Sequence, residues 1–207
     1  RGTAVSSSNP AVRLDFGGYA KGYALDRAAA ILREGGVASA LVNIGGNILA
    51  LGGHGDAPWR IGLEDPRKPP AETGLLGTIE LADGEAIGTS GDYRRYYTVG
   101  GKRYSHIIDP RSGYPSSGVR SVTVVVPPRP GAGALSDAAS KPLFIAGPLG
   151  WREAADKLGI TQALLVDDEG QLQVTPELAQ RLQGRDVETQ RRSGLTASPP
   201  QISTARR

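Results

Sequence analysis

Residues 106–115, HIIDPRSGYP, concentrate groups that could do chemistry in one short stretch. His106 is one of only two histidines in the chain, and an imidazole can donate to an anion or take a proton near neutral pH. Asp109 and Pro110 begin a Gly/Pro turn that would fix the geometry. A histidine beside isoleucines is also common as a hydrogen-bonded structural residue, and Asp-Pro alone is a turn signal. Taken alone, the stretch leaves both roles open.

Three glycine-rich breaks share one arrangement, in which a strand runs into small residues and then a polar group. They read DFGGYAKG, VNIGGN and IGTSGDY. Glycines at such points let backbone N–H groups face an anion. Lys21 follows the first break and could add a positive charge beside a phosphate. None is a Walker loop, and G-x-G-x-x-G is absent, so each break alone is more simply explained as a tight turn.

Two other arrangements also have ordinary explanations. Ser90, His106 and Asp109 could be drawn as a hydrolase triad, but no G-x-S-x-G elbow supports it. Asp137 lies in a predicted helix, where an aspartate is usually a cap or a solvated charge. Spacing alone therefore does not decide what these residues do.

The elements that would position these groups are those of an α+β domain with a mostly antiparallel sheet and helices on one side. Dipeptides Asp83-Gly84 and Gly100-Gly101 predict hairpins, and Pro142 predicts a helix interruption or start. Apolar periodicity predicts strands within residues 11–16, 38–53, 59–66, 75–91, 93–109, 119–128 and 162–176, and helices within 20–36, 135–147, 151–159 and 176–182.

Composition is that of a globular protein, with 39% hydrophobic and 22% charged residues. We predict an irregular lead-in over residues 1–10, one domain over 11–184 and a disordered basic tail over 185–207. With no cysteine, disulfides and thiolate metal sites are excluded. No apolar run approaches the roughly 18 residues of a membrane span.

The net charge of +3 does not indicate a nucleic-acid-binding protein. The tail from residue 185 onward carries five arginines against two acidic residues, so residues 1–184 are neutral. A nucleic-acid binder is expected to carry a basic face on its folded body. We therefore expect no nucleic-acid partner.

Together and in order, the motifs closely resemble those of the FAD:protein FMN transferases, the ApbE family. The resembling segments are DFGGYAKGYALD, ALVNIGGNILALG, AIGTSGDYRRYYTVGGKRYSHIIDPRSGYP, SVTVVV and SDAASKPLFIAG. They cover about residues 11–166, and TSGDY followed by HIIDPRSGYP is the most specific part. No segment resembles the family's N-terminal part, which also contacts the flavin, so a fragment or a short variant is expected.

The resemblance implies a T-fold-like domain that binds FAD and, with Mg²⁺, transfers FMN to a Ser/Thr hydroxyl of a target protein and releases AMP. It implies catalytic roles for His106, Asp109 and Lys21. The residues that it implies for cofactor binding are Gly17, Gly18, Lys21, Tyr23, Asn43, Gly45, Gly46, Ser90, Gly91, Asp92, His106, Ile107 and Ile108.

The implied metal site departs from the family at one position. In the family, Mg²⁺ is held by a carbonyl and by an Asp and a Thr four residues apart on a helix, which map to Ala20, Asp137 and Lys141. A charged lysine has no lone pair to donate. Either its ammonium replaces the metal, or Pro142 shifts the helix and another oxygen completes the site. Asn47 departs too, because the family usually has aspartate there.

Three classes of function are weighed on this basis. The first is an FMN transferase; the second is a flavin-binding or flavin-delivery protein, or an FAD pyrophosphatase, with a degenerate metal site. The third is a plain interaction domain, which predicts no bound flavin. By resemblance we expect a bacterial protein, periplasmic or membrane-anchored through a segment outside this chain.

Overall fold

The computed structural model of the chain describes residues 4–68, 72 and 74–184, and the predicted tail lies outside them. Its three helices are α1 (Ala20–Glu34), α2 (Ala132–Leu158) and α3 (Pro176–Arg181). Its strands are β1 (Ala40–Ile44), β2 (Asn47–Leu51), β3 (Trp59–Glu64), β4 (Leu75–Leu81), β5 (Ala86–Gly91), β6 (Tyr96–Val99), β7 (Lys102–Ser105), β8 (Ile108–Asp109), β9 (Tyr114–Pro115), β10 (Val119–Val126), β11 (Gln162–Asp167) and β12 (Leu172–Val174).

A six-stranded antiparallel sheet in the order β1-β2-β5-β10-β11-β12 forms the centre of the domain. β1 and β2 form a hairpin through Gly45 and Gly46, whose φ values are 59° and 91°. Two consecutive positive φ values are what a tight two-residue hairpin turn requires, and glycine adopts them without strain. The predicted break at these residues is confirmed as a hairpin turn.

Helices α1 and α2 cover one face of this sheet. Successive residues of a strand point to opposite faces of the sheet, so every second residue of the central strands packs against α1 and α2 and the residues between them pack against the layer on the other face. The resulting core includes Leu25, Leu49, Val122, Val124, Leu143, Phe144, Trp151 and Leu165.

Each of the two helices is capped at its N-terminus by an aspartate side chain of the other helix. Asp26 of α1 accepts the N–H groups of Gly133 and Ala134 at 2.8 Å each, and Asp137 of α2 accepts the N–H of Gly22 at 3.0 Å. A helix leaves its first N–H groups without intrahelical partners, and a carboxylate there also interacts favourably with the helix dipole. The backbones touch at Gly22 and Gly133, where a Cβ atom on either residue would lie within 2.5 Å of the other's carbonyl oxygen.

The opposite face of the sheet is covered by the β3–β4 hairpin and by α3. Their core includes Ile48, Ile61, Leu63, Ile79, Leu81, Ile87, Leu164 and Leu178. The prediction of helices on one side is therefore wrong for α3. The hairpin predicted at Asp83 and Gly84 is also wrong, because β4 pairs with β3 while β5 pairs with β2 and β10. The Asp83-Gly84 turn carries the chain from one layer to the next.

Two further local predictions are corrected. Residues 11–16 form no strand; Val12, Leu14 and Phe16 are about half exposed, so their alternation has no surface to bury against. Pro142 lies inside α2 without interrupting it, and the kink occurs at Gly147, with φ 73° and ψ 179°, just before Pro148. Among the described residues, no helix has the length and apolar character needed to cross a bilayer.

Candidate functional site

A cleft of about 760 Å³ opens where the tip of the β1–β2 hairpin meets β5. This volume is within the range of small-molecule and cofactor sites, about 300–1,000 Å³. Residues from both sheet faces, from α1 and from α2 reach it. Its lining includes Asp15, Gly17, Gly18, Lys21, Asn43, Gly45, Gly46, Ile61, Glu64, Thr89, Ser90, Gly91, Tyr93, Arg94, Arg95, His106, Ile107, Thr123 and Lys141.

Strand register explains why a cleft forms here. β2 pairs with β5 only at Ile48 with Ile87 and at Leu49 with Ala86, while β10 follows β5 as far as Gly91. Residues 88–91 therefore run past the hairpin tip with one side of the strand uncovered. The gap in the sheet connects the helix face to the face covered by β3.

The predicted glycine breaks meet in this cleft. Asp15 accepts the N–H of Gly17 at 2.6 Å, and Asn43 accepts the N–H of Gly46 at 2.9 Å, so a side chain holds each turn. The side chain of Lys21 passes over Gly45: a Cβ atom built on Gly45 would lie 3.6 Å from Cδ of Lys21. The first two breaks thus place a lysine between two exposed stretches of backbone.

His106 lies at the cleft with one ring nitrogen fixed. Its Nδ1 is 2.9 Å from the carbonyl oxygen of Arg95. A carbonyl only accepts, so Nδ1 carries the proton, and a neutral His106 keeps its lone pair on Nε2. The histidine therefore has an orienting partner within the loop that follows β5.

The hydrolase triad considered for Ser90, His106 and Asp109 does not form. Ser90 hydrogen-bonds to Ser140 at 2.7 Å, and Asp109 pairs with the guanidinium of Arg111 at 2.7 Å. Asp109 also accepts the backbone N–H of Arg111, and its own carbonyl accepts the N–H of Gly113. Asp109 is outside the cleft lining, and its hydrogen bonds in the structure are those of the turn.

Lys141 reaches the cleft from α2 while remaining paired with Asp137. Its Nζ donates to the Asp137 carboxylate and, at 2.7 Å, to the backbone carbonyl of the same residue. α2 is continuous through Pro142, so residues 137 and 141 stay on one helical face. The expectation that Pro142 shifts this part of the helix is wrong.

Burial and pairing act in opposite directions on this ion pair. Burial alone would raise the pKa of Asp137, but hydrogen bonds from Lys141 and from the N–H of Gly22 hold it below its usual range. Burial lowers the pKa of Lys141, and the nearby Lys21 ammonium adds to this, while Asp137 opposes the shift. The two lysines are therefore close enough to interact electrostatically.

Besides Asp109 and Asp137, four predicted residues do not line the cleft. Tyr23 is half exposed on α1 and contacts Tyr19, and Ile108 is 47% exposed. Asp92 is buried, which raises its pKa, and its nearest ion-pair partner is Arg103 at 3.7 Å. Ala20 begins α1, where its carbonyl belongs to the helix hydrogen-bond ladder.

Sequence reasoning missed the wall made by β3 and by the loop after β5. Glu64 of β3 pairs with Arg94, and this hydrogen bond lowers the pKa of Glu64. Arg94 and Arg95 directly follow the TSGDY motif, so two arginines beside a predicted polar edge were a usable signal. No local pattern indicated that β3 would face this edge, because only tertiary packing brings it there.

Comparisons with known proteins agree with this architecture. The profile of the ApbE family matches residues 2–165. An FAD:protein FMN transferase of Rhodobacter capsulatus is 47% identical over 88% of this chain and 33% of its own length, and one of Escherichia coli strain K12 is 32% identical over 77% and 44%. This chain thus spans between a third and a half of the curated relatives that it matches.

Solved structures give the same result. A crystal structure of the ApbE protein from Thermotoga maritima matches with a TM-score of 0.73 at 35% identity, covering 83% of this chain and 54% of that one. The flavin transferase ApbE from Vibrio cholerae matches with a TM-score of 0.71 at 33% identity, covering 88% and 57%. The expected fold is confirmed, and the chain belongs to the ApbE family.

Proposed function

We propose that this chain binds FAD and transfers its FMN part to a Ser/Thr hydroxyl of a target protein, releasing AMP. The observation that carries this proposal is the cleft, which brings Lys21, two glycine breaks and His106 together from separate elements. The FAD:protein FMN transferase names of the relatives support it.

The cleft chemistry suits the diphosphate of a dinucleotide. The ammonium groups of Lys21 and Lys141 and the backbone at Gly45 can face phosphate oxygens, while Ile61 and Ile107 offer apolar surface for a ring. Phosphoryl transfer depends mainly on positioning and charge neutralisation, which such a set of groups supplies.

His106 is proposed as the general base. Because Nδ1 donates to Arg95, Nε2 can take the proton of the attacking hydroxyl. The hydroxyl oxygen then forms a bond to the phosphorus of the FMN part, and the bond from this phosphorus to the bridging oxygen breaks. AMP leaves with the electron pair.

The Mg²⁺ implied by the family does not fit the residues present. One carboxylate oxygen of Asp137 accepts a hydrogen bond from the N–H of Gly22, and the other accepts one from the ammonium of Lys141. Lys141 itself cannot act as a metal ligand while it is charged. Among the described residues, no three His, Asp or Glu side chains cluster as a metal-binding group. No step of the proposed reaction is therefore assigned to a metal.

The second candidate is a flavin-binding or flavin-delivery protein, or a pyrophosphatase in which water replaces the protein hydroxyl. The Lys141–Asp137 pair favours it, because it departs from the family's metal site. Export to the periplasm, or anchoring to a membrane through a segment outside this chain, is proposed from family resemblance alone.

His106→Gln tests the reaction, with His54→Gln as the matched control. His54 is the only other histidine, and it packs on Trp59 outside the cleft. We expect FAD binding to persist in all three proteins, measured by flavin fluorescence. Release of AMP, measured by chromatography, and protein-bound flavin fluorescence in a bacterial extract should be lost only in His106→Gln.

FAD binding without AMP release by the wild-type chain would favour flavin delivery over transfer. AMP and free FMN without protein-bound flavin would favour the pyrophosphatase. If the wild-type chain binds no FAD, the proposal is contradicted, and of the three classes of function weighed above only the interaction domain remains.

A further inference from the structure

We propose that Lys141, held by Asp137, is a resident cation that contacts the diphosphate of the bound dinucleotide, so that this chain binds it without a divalent metal ion. This inference rests on the proposed function and deepens it. It concerns how the negative charge of the ligand is balanced.

Counting the hydrogen bonds of Lys141 supports a contact with a ligand. An ammonium group has three N–H donors. Two of them have acceptors on Asp137, the carboxylate and the backbone carbonyl. Lys141 also lines the cleft, and 22% of its side chain is exposed. The third donor therefore serves a group in the cleft, and an anion is the partner that a cation prefers there.

Asp137 holds this lysine in place and is itself fixed. Its side chain is fully buried, and its second oxygen accepts the N–H of Gly22 at the N-terminus of α1. Both carboxylate oxygens thus have partners. The carboxylate positions the ammonium at the cleft wall instead of presenting free oxygens to a metal ion.

Asn47 provides an independent observation at the same place. Its side chain is fully buried, it lowers the pKa of Asp137, and yet neither its nitrogen nor its oxygen has a partner with hydrogen-bond geometry. A buried amide without partners is costly. Asn47 itself does not line the cleft, so its amide adds a polar group behind the Asp137–Lys141 pair, and Lys141 is the member of this cluster that reaches the ligand.

The two departures from the family pattern also balance each other in charge. Where the family has aspartate at position 47, a second aspartate at 137 and a divalent ion, the set is neutral. Here Asn47 is uncharged, and Asp137 and Lys141 cancel, so this set is neutral as well. A buried site tolerates unbalanced charge poorly, so a neutral set without a divalent ion is compatible with the burial of Asn47 and Asp137.

Lys21 adds the charge that the ligand requires. It lines the same cleft, and its ammonium is near enough to lower the pKa of Lys141. With the pair neutral, the other charged side chains that line the cleft leave one excess positive charge to face a diphosphate: Lys21, Arg94 and Arg95 against Asp15 and Glu64.

The test is FAD affinity, measured by flavin fluorescence with EDTA or with millimolar Mg²⁺, on the full chain. We expect the wild-type affinity to change by less than about twofold between the two conditions. Lys141→Met should weaken binding roughly 10- to 100-fold in EDTA, as expected for one charge-assisted hydrogen bond. Lys157→Met is the control, because Lys157 forms an exposed pair at the same spacing with Glu153 on α2.

Restoring the family residues should restore the metal. Asn47→Asp with Lys141→Thr should bind FAD weakly in EDTA and recover in Mg²⁺. Its melting temperature without FAD should also rise with Mg²⁺, a readout independent of activity. The wild-type melting temperature should not respond.

Lys141→Met leaves a buried carboxylate unpaired and could fail to fold. Asp137→Asn with Lys141→Met removes both charges while an amide oxygen can still cap Gly22. This folded variant should bind FAD as weakly as expected for Lys141→Met. FAD affinity equal to that of the wild type in this variant would overturn the inference.

Wild-type binding that is lost in EDTA would also overturn the inference and leave the proposed function intact. No FAD binding by the wild type, with or without Mg²⁺, would overturn the proposed function and the inference with it.

Discussion

Gly22→Ala should strongly destabilise the domain, because α1 and α2 have no room for a methyl group at their crossing. A Cβ atom at residue 22 would lie 2.0 Å from the carbonyl oxygen of Gly133 and 2.7 Å from Cβ of Asp137. Carbon atoms in contact normally lie about 3.5–4.0 Å apart. The helices would therefore have to separate by more than about 1 Å at their closest point.

The magnitude follows from two costs. Overpacking costs about 1–3 kcal/mol. Separating the helices also lengthens the bonds by which Asp26 and Asp137 cap them, and the loss of each of these two caps costs about 1 kcal/mol. We expect the free energy of unfolding to fall by about 3–5 kcal/mol, a large part of the total for a domain of this size.

Urea unfolding followed by circular dichroism measures this change as a shift of the midpoint at constant m-value. Gly18→Ala is the control, because Gly18 has no atom within 4 Å of a Cβ position. It should change the free energy of unfolding by less than about 0.5 kcal/mol. A Gly22→Ala protein within about 1 kcal/mol of the wild type would refute the close crossing of the helices.

Three further predictions use the same unfolding measurement. Asp26→Ala should cost about 2 kcal/mol, because two N–H groups lose their acceptor, and Asp26→Asn should cost about half of that; equal costs would contradict the double cap. Burial alone would raise the pKa of Asp65, but Arg67 holds it below its ordinary value of 3.8. The stabilisation from the ionised Asp65 is therefore complete above pH 3.8 and is lost as pH falls through the lowered pKa. Asp65→Asn should lower the free energy of unfolding by about 1–2 kcal/mol at neutral pH and by progressively less in acid. A difference between the two proteins that does not change with pH would argue against this ion pair. Arg181→Met leaves the buried Glu85 unpaired and should cost about 3 kcal/mol, of which Glu85→Gln in the same protein should recover part; no recovery would contradict this ion pair.

Local patterns predicted most elements of the fold, because helix periodicity and hairpin glycines act over short distances. The β6–β7 hairpin at Gly100 and Gly101 and the strand β10 are examples. The pairing of the strands could not be predicted in this way, since β4 and β5 are adjacent in sequence yet belong to different sheets. An Asp-Gly dipeptide such as Asp83-Gly84 can form the turn of a hairpin or a turn that carries the chain from one layer to the other, and only tertiary packing decides which one forms.

The candidate site was predictable to the extent that motifs concentrate it. His106, Lys21 and the glycine breaks follow from the sequence, and the structure brings them together. The wall from β3 and the cap from Asp137 to Gly22 do not, because the residues involved come from distant parts of the chain. Sequence shows which residue types are present, but not which of their hydrogen-bonding atoms are already engaged.

The mutual capping of α1 and α2 also has a kinetic consequence. Each helix begins with N–H groups whose acceptor lies 107–115 residues away on the other helix, so neither start is complete until the two dock. The amides of Gly22, Gly133 and Ala134 should therefore exchange with deuterium as one cooperative unit with a shared opening free energy. Docking closes a very long loop, which should make this step late and slow in refolding.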